Sequence, residues 1–385
     1  MLVQDRQHTK QHALREELEF DREHSLEHHN ATRMNYTQFM KIVSVVGARP
    51  QFIKVSSISR SASSQGFEHY IINSGQHYDY EMAGAFFDSF NGSKSIVDLR
   101  VGSGSHAFQT GEILRKIEDE IGKINPDWLL VYGDTNTTLA AALFGAKANI
   151  KIAHIEAGLR SNDRTMPEEV NRVIVDHVST LNFAPTHEAM TNLSREGLAS
   201  TSRLVGDVMI DNLKFFSSHL AKGKKRSQDR ILATLHRPSN VDNPERLQYL
   251  MEKLSNSKRE IVIPAHPRLV KGINFNKIDY DSRVVKLISP VPYLEMLEMV
   301  FESKGVVTDS GGLQKEAFFL GIPSLTVRNT TEWPETLSEG MNSLDPDLLK
   351  LNEFIELTKE TSALAEMVYG DGTAAEKILE AIRAF

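Results

Sequence analysis

The chain has 385 residues, and its 51 acidic and 44 basic side chains give a net charge of −7. This length suits two domains of ordinary size, while the acidic balance provides no basic surface for nucleic acid or an anionic membrane. The absence of cysteine excludes disulfides, thiolate catalysis and zinc–thiolate sites. The sequence has no apolar run of membrane-spanning length and no signal-peptide core, so we expect a cytoplasmic protein.

Residues 1–39 differ in composition from the rest of the chain. They are charged, contain five of the 14 histidines and show no strand pattern. A metal site at His24, His28 and His29 is one interpretation, but a segment this polar buries too little surface to order itself. We therefore predict a solvated, partly disordered extension without a metal, or a start codon upstream of the real beginning at Met34 or Met40.

Short apolar runs rich in β-branched residues begin at Lys41 and are separated by helical patterns. KIVSVVG ends in glycine and is typical of a buried parallel strand. Similar runs are HYIINS from 69, DWLLVYG from 127, KIAHIEAG from 151 and LNFAP from 181. Helical patterns such as those from 107 and 168 lie between them, and this alternation predicts a parallel sheet covered on both faces.

The pattern restarts after the basic stretch GKKRSQ at 223. Five further strand-like runs follow, namely RILATLHR, EIVIPAHP, VVKLISP, GVVTDSGG and PSLTVR. The predicted fold class is α/β, with two Rossmann-like doubly wound domains at residues 40–208 and 209–370 and the ligand cleft between them. An amphipathic helix over 371–385 is predicted to pack back across the domain junction.

Two glycine-containing turns follow predicted strands and can bind an anion. In GARPQFIK, Arg49 and Lys54 lie near a helix N-terminus, which favours a phosphate or carboxylate. The alternative is a plain turn with two solvated cations, since the loop has neither GxGxxG nor a Walker pattern. In TDSGGLQKEAFF, small residues at 310–312 suit a close-lying diphosphate. The alternative there is simple N-capping by Asp309 or Ser310.

Acidic side chains follow two predicted strands and begin one helix. They are Asp134 in VYGDTNTT, Glu156 in HIEAGLR, and Glu168 and Glu169 in MPEEVNR. Each has a structural alternative, because acids also cap helices and stabilise their first turn. Grouped in one cleft, they would raise the pKa of one carboxyl group, as proton transfer requires.

Histidines stand at the ends of two second-half strands. His236, followed by Arg237, is interpreted as a phosphate-binding or proton-transferring residue. For His266 a purely structural role is an equal alternative. The histidines lie on different elements without HxH or HExxH spacing, so we predict no metal site.

In this order, the motifs resemble those of the non-hydrolysing UDP-N-acetylglucosamine 2-epimerases. The resemblance runs from about residue 41 to the C-terminus and covers GARPQFIK, GQHYDYEM, GDTNTT, HIEAGLRS, MPEEVNR, LATLHR, HPR, TDSGGLQKEAF and VRNTTEWPE. It implies a GT-B-like fold, a UDP-sugar substrate, no cofactor, a homodimer and a role in polysaccharide biosynthesis. It also implies that UDP leaves as a base removes the C2 proton, giving a 2-acetamidoglucal, and that UDP adds back after reprotonation from the other face.

The resemblance also assigns residue roles. It implies that the catalytic residues are Asp134, Glu156, Glu168 and His236. It implies that the substrate-binding residues are Arg49, Lys54, Arg172, Ser310, Gly311, Gly312, Glu316 and Arg328. We take Asp134 as the base and a glutamate as the acid that returns the proton.

Three differences from the family pattern keep alternatives open. GARPQF stands where GTRPE is commonest, and HRPSN stands where HRRE is usual, so Pro238 replaces an arginine of the family's second, activating UDP-sugar site. The GARPQFIK, QKEAFF and TEW forms resemble those of relatives that epimerise UDP-2,3-diacetamido-2,3-dideoxy-glucuronate. Arg160 or Arg164 would meet the carboxylate of that substrate, and the equal alternative is that both are surface or structural residues. A GT-B glycosyltransferase is the alternative from another class.

Overall fold

Strands and helices alternate from Met40 onward in the computed structural model, which describes residues 39–75, 93–220, 230–356 and 368–385. The histidines before residue 39, the part of the GQHYDYEM motif that follows Gly75 and the GKKRSQ stretch lie outside these ranges. Residues Met40–Phe385 form one compact unit. No helix in the described part of the chain is long and apolar enough to span a membrane.

The first sheet contains seven parallel strands in the order β3-β2-β1-β4-β5-β6-β7. Its elements are β1 (Met40–Val46), α1 (Arg49–Ser64), β2 (Phe67–Asn73), β3 (Ser93–Asp98), α2 (His106–Ile124), β4 (Trp128–Tyr132), α3 (Asn136–Lys147), β5 (Lys151–Ile155), α4 (Pro167–Val178), β6 (Leu181–Ala184), α5 (His187–Arg195), a 3-10 turn (Ala199–Thr201) and β7 (Ser202–Leu204).

The second sheet contains six parallel strands in the order β10-β9-β8-β11-β12-β13. After the connecting helix α6 (Val208–Leu220), its elements are β8 (Arg230–Thr234), α7 (Pro238–Val241), α8 (Pro244–Ser255), β9 (Glu260–Pro264), α9 (Pro267–Asn276), β10 (Val285–Ile288), α10 (Tyr293–Glu302), β11 (Gly305–Thr308), α11 (Gly311–Phe319), β12 (Ser324–Thr326), a 3-10 turn (Pro334–Gly340), β13 (Asn342–Leu344), α12 (Leu351–Glu356) and the C-terminal helix α13 (Ala374–Ala384).

The local sequence explains these elements. All five residues of β4, WLLVY, are buried, as expected for a strand with helices on both faces. Helix α2 buries Ile113, Ile117 and Ile121 at helical spacing, and the Ser105 hydroxyl accepts a hydrogen bond from the Phe108 amide to cap it. The predicted α/β class, with two Rossmann-like doubly wound sheets in a GT-B-like fold, is confirmed.

Both strand orders reverse direction at one place. In the first sheet the chain turns back between β1 and β4, and in the second between β8 and β11. Ligands of open parallel sheets bind outside the carboxyl ends of the strands at such switch points. The turns after these four strands therefore mark where a site should be built.

Helix α13 packs on α1 and α6 at the side of the first sheet. The Asp211 carboxylate accepts hydrogen bonds from the backbone amides of Ala374 at 3.1 Å and Ala375 at 2.7 Å. At the other end of α13, the Phe385 ring contacts Trp128 edge-on, with centroids 5.4 Å apart. The C-terminal helix is therefore held at both ends, and the domain limits of the sequence analysis remain predictions.

We expect Asp211→Ala to lower the free energy of unfolding by about 1–2 kcal/mol, because the first amides of α13 lose their acceptor. Burial raises the pKa of Asp211 to about 6, above its ordinary value, although the Ala374 and Ala375 amides oppose the shift. The advantage of the wild type should then be largest at acidic pH and decline as the pH rises through about 6. Denaturant unfolding at about pH 5 and pH 8 measures this, with the exposed Asp119→Ala as control.

Candidate active site

The candidate site lies where the carboxyl ends of the two sheets face each other. A cavity of about 370 Å³ opens there, between the turn after β1 and the turns after β8, β9 and β11. Five residues named in the sequence analysis line this cavity, namely His236, His266, Ser310, Gly312 and Glu316. Asp134, Glu156 and Arg172 are not among its lining residues, so the predicted acids and the cavity occupy separate parts of the cleft.

Gln51 fixes the turn after β1. Its side-chain oxygen accepts hydrogen bonds from the amides of Gly47 at 2.8 Å and Ala48 at 3.1 Å, and its amide group donates to the Tyr132 carbonyl at 2.7 Å. A Cβ atom on Gly47 would lie 2.0 Å from the Ser74 hydroxyl, so the turn requires glycine for close approach. The turns after β1 and β4 are thereby tied together. Helix α1 begins at Arg49, and the side chain of Arg49 lies outside the described part of the structure.

Four buried charges form a network where the two sheets meet. Lys54 on α1 donates to one oxygen of Glu156, and Lys315 on α11 donates to the other at 3.2 Å. Lys315 also contacts Asp207. All four side chains are less than 10% exposed. The sequence analysis identified Lys54 and Glu156 but missed Lys315 and Asp207.

Lys54 is turned towards Glu156, and its surroundings affect its protonation. Burial, together with the nearby charge of Lys315, lowers the pKa of Lys54 to about 8. The carboxylates of Asp207 and Asp134 act in the opposite direction. Lys54 therefore holds its proton at neutral pH, but only by a narrow margin.

Asp134 is held by Arg172 in the turn after β4. One guanidinium nitrogen of Arg172 lies 2.5 Å from the Asp134 carboxylate, and another lies 3.2 Å from Glu169. Thr135, and not Asp134, caps α3 by accepting a hydrogen bond from the Thr138 amide. The capping alternative for Asp134 is therefore wrong, and its carboxylate is available for another role.

The adjacent acids Glu168 and Glu169 have different environments. Glu169 is buried and accepts hydrogen bonds from the Ser161 amide at 2.8 Å and the Asn162 amide at 3.0 Å. Burial would raise the pKa of Glu169, but the hydrogen bonds from Ser161 and Asn162 and the charge of Arg172 keep it below its usual value. Glu168 is exposed, and its charge acts on Arg237 across the cleft. Glu169 is thus structural, whereas Glu168 faces the second sheet.

His236 is oriented by a buried aspartate. Asp309 accepts hydrogen bonds from the backbone amides of His236 and Arg237, and the His236 Nδ1 atom lies 3.0 Å from its carboxylate. Burial would raise the pKa of Asp309, but the hydrogen bond and charge of His236 keep it below its usual value. The ring is therefore fixed while its side chain remains 38% exposed at the cavity.

The turn at 310–312 has the small residues that a close-lying ligand requires. The Ser310 hydroxyl accepts a hydrogen bond from the Leu313 amide at 3.4 Å, so Ser310 caps α11 as the alternative reading proposed. A Cβ on Gly311 would lie 2.2 Å from Glu332, whereas one on Gly312 would meet no atom closer than 3.9 Å. A side chain at position 311 would therefore require the Glu332 carboxylate to shift, whereas Gly312 leaves the helix N-terminus open at the cavity.

Arginines from both halves surround Glu332, which the sequence analysis missed. Arg328 binds Glu332 at 2.7 Å, and Arg237 lies 3.8 Å from it. The charge of Glu332 also acts on Arg172. Burial would raise the pKa of Glu332, but Arg328 and Arg237 keep it below its usual value. A polyanionic ligand at this point would meet guanidinium groups from two sheets.

Two other predicted candidates have structural partners. His266 accepts a hydrogen bond from the Arg268 amide at 3.1 Å and so caps α9, although it also lines the cavity. Arg160 binds Asp176 and Glu196, each at 2.7 Å, and is therefore not available to a substrate carboxylate. Within the described residues, no group of three histidines or acids is arranged to hold a metal ion.

The known proteins that this chain resembles share one kind of name, and they match it over almost the whole fold. A family model described as UDP-N-acetylglucosamine 2-epimerase matches residues 60–383. A Methanococcus maripaludis protein named UDP-N-acetylglucosamine 2-epimerase homolog is 47% identical over 358 residues, or 89% of this chain and 99% of that protein. The UDP-2,3-diacetamido-2,3-dideoxy-D-glucuronate 2-epimerase of Pseudomonas aeruginosa is 41% identical over 353 residues, with shares of 89% and 99%.

Among solved structures, the fold is similar to Methanocaldococcus jannaschii UDP-GlcNAc 2-epimerase in complex with UDP-GlcNAc and UDP. The TM-score is 0.80 at 36% identity, and the match covers 90% of this chain and 100% of that one.

Glu168 and Glu169 form a matched pair for testing this site. We expect Glu169→Gln to lower the free energy of unfolding by about 1–3 kcal/mol, because buried donors on Ser161, Asn162 and Arg172 lose their charged acceptor. Glu168→Gln should stay within about 0.5 kcal/mol of the wild type, as exposed substitutions usually do. Urea unfolding of both variants measures the difference, and equal losses would contradict the division of roles.

Proposed function

The chain belongs to the UDP-N-acetylglucosamine 2-epimerase family of isomerases, and we propose that it converts UDP-N-acetylglucosamine to UDP-N-acetylmannosamine without a cofactor. The observation that carries this proposal is the pairing of opposite chemistries in one cleft. The carboxylates that we propose as proton-transferring groups stand on the side of the first sheet, and an open helix N-terminus with arginines stands on the side of the second.

In the proposed first stage, a carboxylate takes the C2 proton while the bond from C1 to the diphosphate oxygen breaks. The products of this stage are a 2-acetamidoglucal and UDP. Asp134 is our candidate base, because it is oriented by one guanidinium and remains 29% exposed. The negative charge that develops on UDP would be stabilised by His236, the N-terminus of α11 and the arginines around Glu332.

In the proposed second stage, UDP adds back to C1 while C2 receives a proton on its other face. Glu156 and Glu168 are the candidates for the acid that returns it. Glu168 is exposed to the cleft, whereas Glu156 is held between two lysines. Arg49, Lys54, Arg172, Ser310, Gly311, Gly312, Glu316 and Arg328 complete the proposed set of UDP-sugar contacts. Homodimer formation and a cytoplasmic location stay predictions.

One comparison supports an alternative substrate. The Pseudomonas aeruginosa relative that is 41% identical carries the name of a UDP-2,3-diacetamido-2,3-dideoxy-D-glucuronate 2-epimerase. Of the two arginines considered for a uronate carboxylate, Arg160 is occupied by Asp176 and Glu196. Arg164 is exposed and remains a candidate. We therefore keep UDP-N-acetylglucosamine as the proposed substrate and the diacetamido-uronate as the alternative.

Incubation of the purified protein with each sugar nucleotide in D₂O separates these possibilities. We expect NMR to show deuterium at C2 of UDP-N-acetylglucosamine together with the manno product. Exchange with the diacetamido-uronate alone would replace the proposed substrate by the alternative. UDP release that requires an added acceptor sugar would instead indicate a transferase and would contradict the proposal.

We expect Asp134→Asn to reduce C2 exchange by at least about 100-fold, because an amide does not accept the proton. UDP affinity, measured by calorimetry, should change little, since most of the proposed diphosphate contacts, namely His236, the N-terminus of α11 and Arg328, lie on the second sheet. Asp98→Asn is the matched control, as Asp98 ends β3 in the same sheet with a similar exposure of 31%. Normal exchange in Asp134→Asn would remove the assignment of the base.

A further inference from the structure

Lys315 is a buried cation that the proposed reaction scheme does not use. Its side chain is only 2% exposed, although it lies on α11 one turn after the small residues at 310–312. Its ammonium group reaches Glu156, which follows β5 in the first sheet, and Asp207, which begins the connection between the sheets. It also lies 3.6 Å from the centre of the Trp333 ring.

Burial of an ammonium group is costly unless carboxylates and hydrogen bonds compensate for lost water. Asp207 is itself fixed, because its amide donates to the Tyr369 carbonyl at 2.8 Å and its carboxylate accepts from the Met209 amide at 2.9 Å. Lys315 is thus anchored on one side and bound to Glu156 on the other. The orientation of Glu156 therefore depends on a residue of the second sheet.

The same helix serves both parts of the cleft. Its N-terminus at Ser310 borders the cavity, where the proposed diphosphate binds, and Lys315 extends from its next turn to Glu156. A helix moves as a unit over one turn, so the position of the diphosphate site and the position of this carboxylate are coupled through α11.

We propose that Lys315 is a positioning residue for the epimerase reaction, holding the Glu156 carboxylate charged and in one orientation relative to the diphosphate site. This inference rests on the proposed function. Lys315 touches neither the cavity nor the candidate base, so it acts through Glu156 and not on the substrate.

Charge balance indicates what the loss of Lys315 would do. Glu156 contacts Lys54 from α1 and Lys315 from α11, and Lys315 also contacts Asp207 from the connection. The charges of Asp134 and Arg172 act on Lys54 as well. Two lysines balance two acids. Without Lys315, Glu156 and Asp207 share Lys54 alone, and one of the two acids should take up a proton near neutral pH.

The test compares Lys315→Met with the conservative Lys315→Arg. We expect Lys315→Met to lower kcat by about 100-fold at neutral pH, the size of effect that loss of one preorganised electrostatic group produces. UDP affinity should stay within about threefold, and the acidic limb of the kcat profile should move up by about one pH unit or more. Lys315→Arg should recover most of kcat. Arg246→Met, which removes an ion pair with Asp347 outside the cavity lining, is the control for general loss of stability.

A loss seen only in KM, or an unmoved pH profile, would reject the positioning role. A second measurement does not depend on activity and therefore distinguishes failure of this inference from failure of the proposed function. In Lys315→Met, the unfolding midpoint should fall as the pH rises from about 6 to 8.5, because a carboxyl with a raised folded-state pKa loses its stabilising proton. The double variant Lys315→Met with Glu156→Gln restores charge balance and should be more stable than the single variant above pH 7. Equal stability of the two variants would overturn the inference.

Discussion

The buried contact of Lys54, Glu156, Lys315 and Asp207 is the interaction on which the cleft depends. Lys54 and Glu156 pair within the first half of the chain, but Lys315 could not be buried by the second sheet alone, because its carboxylate partners Glu156 and Asp207 both lie outside that sheet. Glu156 comes from the first sheet, Lys315 from the second and Asp207 from the connection between them. The network therefore requires the two sheets to meet in one arrangement, and that arrangement places the turn after β4 opposite the N-terminus of α11.

Around this contact, the cleft is built from charges that are already paired. Arg172 is held by Asp134 and Glu169, Arg328 by Glu332, and His236 by Asp309. Paired side chains have lost their rotamer freedom during folding, so a ligand meets them without further ordering cost. The same pairing keeps the cleft close to neutral, since the cations that would attract a diphosphate stand beside buried carboxylates. Preorganisation, and not an excess of positive charge, is what the arrangement supplies.

The sequence predicted the features that are local and missed those that depend on distant contacts. Buried strands followed by glycine turns were readable because strand, turn and helix signals are adjacent in the chain. The missed strands β3, β7 and β13 lie at sheet edges and begin with polar residues, so they carry little apolar pattern. Lys315 was missed because its partner Glu156 lies 159 positions away, and no spacing rule relates them. Glu168 and Glu169 looked equivalent because neighbours on a helix point in directions that only the packed structure distinguishes.

The contacts of the three candidate acids bear on which of them is the base in the proposed reaction. Glu156 shares its two oxygens between two buried ammonium groups, and taking a proton would leave both cations poorly compensated. Asp134 has one guanidinium partner, Arg172, and remains partly open to solvent. Protonation therefore costs Asp134 a single ion pair, and Glu169 continues to balance the charge of Arg172. Glu168 has the most open position and faces Arg237 across the cleft. A cycle in which Asp134 accepts the proton, Glu168 returns one, and Glu156 remains ionised as a fixed counter-charge therefore disturbs the buried network least.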